Sequence, residues 1–101
     1  MTEMNEYERL RRLAERHREY YPKGTRLMLL SMEDPYSPVP PGTRGSVEFI
    51  DDMAQIFMHW DNGRTLPLNS DVDSFRKLTA EELAEEQENE IDEDNGPVMG
   101  M

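Results

Sequence analysis

The chain has 101 residues, 36% of them hydrophobic and 33% charged, with a mean hydropathy of -0.87 and a formal net charge of -11. So polar a composition leaves apolar material for one small core only, with polar ends that have little to bury. Cysteine is absent, which excludes disulfides and thiolate metal sites, and neither a membrane-length apolar run nor a signal-peptide pattern is present, so the reading is a cytoplasmic protein with no membrane association.

The charge is unevenly distributed. Residues 1–21 balance to zero, residues 22–78 carry -2, and residues 79–101 hold nine acids and no base. The chain therefore divides into an N-terminal segment (1–21), a central segment (22–78) and an acidic tail (79–101).

Met4, Tyr7, Leu10, Ala14 and His17, with Leu13 beside them, recur at helical spacing among Arg and Glu, predicting an amphipathic helix from about Glu3 to Tyr20. Tyr21-Pro22 ends it, because a residue before proline is pushed out of the α region. A helix of this length is marginal alone in water, so it needs a surface on its own chain or a partner, including a second copy in a helix-mediated dimer; otherwise the protein is a monomer. Thr25 to Met32 reads as a first strand with Leu27 and Leu29 on one face and Arg26, Met28 and Leu30 on the other. The economical arrangement lays the helix over that second face, where Met28 and Leu30 meet Leu10 and Tyr7.

Glu33 to Gly42 contains four prolines and forms a rigid loop that carries Tyr36. Thr43 to Asp51 is a second strand, in which Val47 and Ile50 both point inward only across a bulge. Gln55 to Trp60 alternates, with Ile56, Met58 and Trp60 inward and Gln55, Phe57 and His59 outward. Asn62-Gly63 supplies the positive-φ pair of a tight hairpin, and Arg64 to Leu68 returns with Leu66 and Leu68 inward and Pro67 marking an edge. Asn69 to Lys77 reads as a turn or helical turn whose Phe75 plugs the barrel end. Thr79 and Glu82 have capping-box spacing for a short acidic helix, and the chain from Asn89 onward is expected to be disordered.

Tyr21-Pro22-Lys23-Gly24-Thr25-Arg26, Met32-x-Asp34-Pro35-Tyr36, Pro40-Pro41-Gly42-Thr43-x-Gly45-x-Val47, Asp51-Asp52-x-x-Gln55-Ile56, Trp60-Asp61-Asn62-Gly63 and Asp73-Ser74-Phe75 together resemble domain of unknown function 4314. The resemblance covers about Tyr21 to Leu78. It implies a small SH3-like barrel of the kind found in bacteria, phages and mobile elements; it carries over no catalytic residues and leaves the N-terminal helix and the acidic tail outside the shared pattern.

Trp60, Tyr36 and Phe75, with Asp61 or Asp73 for charge, have the makings of an aromatic cage for a proline-rich or methylated-lysine ligand; the plainer reading closes the core with Trp60 and Phe75 and leaves Tyr36 as the better contact residue. Phe57 and His59 face outward and, with Met28, form a patch for the chain's own helix or for another protein. His17 and His59 have no carboxylate at metal-ligand spacing, and the Asp51-Asp52 and Asp71-x-Asp73 pairs suit turns, so no metal or cofactor is expected. No nucleophile elbow or phosphate loop is present. The expected fold is thus mainly β, a five-stranded SH3-like barrel with an N-terminal amphipathic helix and an acidic tail. The expected function is a non-enzymatic module that binds a protein partner. Two alternatives accompany it: an anti-defence inhibitor whose tail (Glu81 to Asp94) imitates nucleic acid, and a nucleic-acid-binding barrel. The second requires Arg26, Arg44, Arg64, Arg76 and Lys77 to converge, and the charge of -2 on residues 22–78 argues against it.

Overall fold

The computed structural model describes residues 5–32 and 39–88. Tyr36 and most of its loop, the first four residues and the end of the acidic tail lie outside the described residues. The elements run α1 (Glu6–Tyr20), β1 (Arg26–Ser31), β2 (Arg44–Ile50), β3 (Gln55–Trp60), β4 (Leu68–Asn69) and β5 (Ser74–Lys77), and a second helix, α2, covers 80–88 up to the limit of the description. The five strands form one antiparallel sheet in the order β4-β3-β2-β1-β5. Leu68 near one edge and Leu27 and Leu29 near the other belong to the same core cluster, so the sheet wraps around a shared interior. The protein is mainly β; β4 and β5 do not pair with each other among the described residues, so the sheet is not closed into a barrel.

The inward set follows the alternation of the strands. Leu27, Leu29, Val47, Ile50, Ile56, Met58, Trp60 and Leu68 are buried, with Val39 and Ala54 added from connecting segments. The expected bulge in β2 is present: Val47 opposes Met58 and Phe49 opposes Phe57, so Glu48 is the extra residue. This shift of parity lets Val47 and Ile50 both face the core and turns Phe49 outward. A second register shift lies between Leu29 and Ser31, where Leu30 is left exposed.

The turn after β3 differs from the expected pair of positive-φ residues. Of Asn62 and Gly63 only Gly63 has positive φ (91°), the Gly63 N–H donates to the Trp60 carbonyl at 2.9 Å, and the Trp60 N–H donates to the Arg64 carbonyl at 2.8 Å. This is a three-residue loop closed by a glycine in the left-handed region, which widens the hairpin by one residue. β5 is another departure. Residues 74–77 form a strand on β1 rather than a helical turn, and the turn lies before them, where Asp73 accepts from the Asn69 N–H at 2.9 Å.

Helix α1 begins at Asn5, whose side chain accepts from the Glu8 N–H at 2.7 Å, and ends where the Tyr21 N–H meets the His17 carbonyl. Its placement corrects the expected cover over Met28 and Leu30. Tyr7 is 59% exposed and Leu30 46% exposed, so the two do not pack together. Instead Ala14 and His17 are buried, with Leu10, Leu13 and Tyr21 packed against the core cluster. Polar contacts pin the same face: Arg18 donates to the Ile50 carbonyl at 3.2 Å, His17 meets the Ser70 hydroxyl at 3.0 Å, and Arg9 pairs with Asp71 at 2.8 Å. Helix α1 thus completes the interior side, and the outer face of the sheet is left to other groups.

Candidate functional site

Strand register decides what the outer face displays. Arg76 of β5 opposes Met28 of β1, and Met28 opposes Arg44 of β2, so two arginines flank a methionine in one row. In the next row Arg26 opposes Ser46, and Ser46 opposes His59. Because side chains two apart on a strand share a face, Arg26, Arg44 and Arg76 stand together on one surface although they are distant in sequence. Beyond the bulge the same face continues as Phe49 opposite Phe57.

The arginine half is covered by α2. Glu82 forms a two-pronged pair with Arg76, at 2.9 Å from each terminal nitrogen, and Glu86, one turn later, reaches Arg26 at 2.7 Å and Arg44 at 3.2 Å. Arg26 is the centre of this arrangement. Its five N–H donors are all engaged, by Asp61, Glu86 and the Ser46 hydroxyl. Arg76 also donates to the Met28 sulfur at 3.4 Å. Glu82 serves twice, because the expected capping box forms as well: its carboxylate accepts from the Thr79 N–H at 2.8 Å while the Thr79 hydroxyl accepts from the Glu82 N–H at 3.1 Å. Hydrogen bonds from Arg76, followed by the Thr79 backbone, hold the Glu82 carboxyl down at about 2, and those from Arg26 lower that of Glu86.

The aromatic half is open among the described residues. The Phe49 and Phe57 rings stack at 4.6 Å with 4° between their planes, and Phe49 is 53% exposed. Met53 stands exposed in the hairpin that joins their strands, and His59 meets Glu48 at 2.9 Å beside them. Cross-strand aromatic pairing accounts for the stack, since the two residues face each other directly in the register.

The other expected contact residues separate. Trp60 is 3% exposed and its indole N–H donates to the Leu66 carbonyl at 2.8 Å, so it belongs to the core. Gly45, its partner across the strands, makes room for it: a Cβ there would lie 2.8 Å from the ring. Phe75 packs edge-on to Tyr21, with the rings 5.7 Å apart. Asp61 pairs with Arg26, and Asp73 serves the 69–73 turn. Tyr36 lies outside the described residues. Lys77 turns away to sit 3.8 Å over the Tyr20 ring, whereas Arg26, Arg44 and Arg76 converge, already paired with carboxylates. Phe49 is not among the contact residues named from the sequence, although the bulge expected between Val47 and Ile50 carried the signal: with Ile50 inward, its neighbour Phe49 faces outward. Among the described residues no three His, Cys, Asp or Glu side chains are placed to hold a metal ion.

Fold and surface together define a small open-sheet β domain with one helix built into its core and a second, acidic helix laid on its outer face. The chain belongs to the family described as Domain of unknown function (DUF4314), whose model matches residues 8–78. That span takes in most of α1, so the helix lies inside the shared region rather than outside it, in keeping with its share of the core. No curated protein and no solved structure matches the chain.

Proposed function

We propose that this protein is a non-enzymatic interaction module of the bacterial cytoplasm, in a host or mobile-element setting, that binds another protein through the outer face of the β2–β3 hairpin. The observation that carries the reading is the stacked Phe49–Phe57 pair, with Phe49 half exposed, on the same outer face whose arginine half holds α2 while α1 packs against the core. Two adjacent stacked rings make a rigid apolar anchor, and the Glu48–His59 pair supplies a polar rim. No helix among the described residues is long and apolar enough to cross a membrane.

The alternative in which the acidic segment imitates nucleic acid has fewer free charges to draw on here, because Glu82 and Glu86 are committed to the domain's own arginines. The test is photo-crosslinking in living bacteria with a benzophenone amino acid at Phe49, and at Val72 as an exposed control on another segment. A discrete protein adduct at Phe49, absent at Val72 and lost in a chain that also carries Phe57→Ser, is the expected result. Equal labelling at both positions, or none at Phe49, overturns the reading.

A further inference from the structure

The arginine half of the outer face has a feature that the aromatic surface does not explain. Arg26, Arg44 and Arg76 lie within the span shared by the family, residues 8–78, whereas the helix that covers them follows it. The arginines belong to the domain; their present occupant is appended to it. That occupant is held mainly by charge. Residues Glu82 and Glu86 make the contacts already described, while Leu83 and Ala84 are exposed and no residue of α2 joins the core cluster. The side chains in these pairs are partly buried, 19–39% exposed, but no apolar residue of α2 is seated in the core beneath them, so the helix is held by contacts that salt and competing carboxylates weaken and is displaceable.

The geometry points to a second binding site, independent of the Phe49–Phe57 surface: Arg26, Arg44 and Arg76 around Met28 receive an acidic helix of a partner protein, with α2 as the resident competitor. Three features specify the ligand. The guanidinium groups take carboxylates as two-pronged pairs, the occupied positions are i and i+4 on one helix face, and the floor between the arginines is the apolar Met28. A phosphodiester backbone satisfies the first of these but neither the one-turn spacing on a helix nor the apolar floor. Asp61, fixed on Arg26, stays when α2 leaves, so the emptied cluster carries a net charge of about +2 by formal count, a match for the paired carboxylates of one helix turn.

The experiment uses the full chain, labelled with nitrogen-15, and follows the side-chain N–H signals of the three arginines. The probe is an end-blocked peptide of this chain's own residues 79–94. In the Glu82→Gln/Glu86→Gln variant the glutamines keep the cap of α2 but remove its charge. That variant is expected to bind the peptide at least ~10-fold more tightly than the unmodified chain, because an internal competitor at effective millimolar concentration has been removed. The arginine signals are expected to move, and adding Arg76→Gln is expected to reverse the gain while the backbone spectrum stays folded. Equal binding by the two chains, or arginine signals that do not move, overturns the proposal. Tighter binding of a single-stranded oligonucleotide than of the peptide, at the same salt, assigns the site to nucleic acid instead. A dimer in sedimentation that the glutamine variant dissolves shows α2 exchanged between copies and likewise overturns it.

Discussion

Gly45 and His17 show how single residues set the limits of this fold. At Gly45 the atoms a methyl group would meet include the His59 carbonyl at 2.9 Å and the Trp60 Cα at 3.0 Å, which are backbone and cannot swing aside. Gly45→Ala is therefore expected to destabilise the protein by roughly 1–3 kcal/mol, the usual cost of overpacking, read as an earlier urea midpoint. His17 is buried between helix and sheet, and that burial lowers its pKa from the ordinary 6.5. The unfolded chain then takes up the proton more readily than the folded one, so stability is unaffected well above pH 6.5 and declines as pH falls below it. The melting temperature is expected to drop between about pH 7.5 and about pH 5.5, and to drop less in His17→Gln, which still reaches Ser70. Neither role was legible beforehand. The sequence offers a histidine on an apolar helix stripe and a glycine near a strand start, but the partners that define them, Ser70 and Trp60, come from distant segments.

Among elements, those with local signals were read well and those made by distant pairing were not. The α1 periodicity, the alternation of β3, the β2 bulge and the Thr79–Glu82 capping box all stand in the chain as short-range patterns. β5 does not: Ser74-Phe75-Arg76-Lys77 has no apolar alternation, and its strand exists because β1 offers an edge. The docking of α2 likewise depends on a register that brings Arg76, Met28 and Arg44 into line. That docking has a pH signature. Glu82 is lowered from 4.5 to about 2 and Glu86 is lowered too, so the ionised forms favour the docked helix above the ordinary carboxylate value, and this preference is lost as pH falls from about 4.5 towards 2. Protection factors along α2, taken relative to the intrinsic exchange rate at each pH, are expected to fall over that interval while the core strands stay protected, and to fall at neutral pH when salt is taken to about 1 M.

For the molecule as a whole, the division at residue 21 drawn from charge does not coincide with a division of the core. α1 contributes Ala14 and His17 to the buried set and packs Leu10 and Leu13 against it. A fragment of residues 22–78 is expected to lack a cooperative thermal transition, whereas residues 5–88 retain it, as calorimetry of the two would show. Charge balance divides the chain into electrostatic blocks; which of them share an interior is a matter of packing. The open sheet carries a further consequence. An unclosed sheet offers bare backbone edges to other chains, and a solvent-facing aromatic pair adds adhesion. Here one edge strand, β4, is two residues long and follows Pro67, and the other, β5, is four residues long and contains Arg76 and Lys77. Such edges give a second molecule too little backbone to copy and too much charge to bury. The protein can thus keep a sticky surface without polymerising through it.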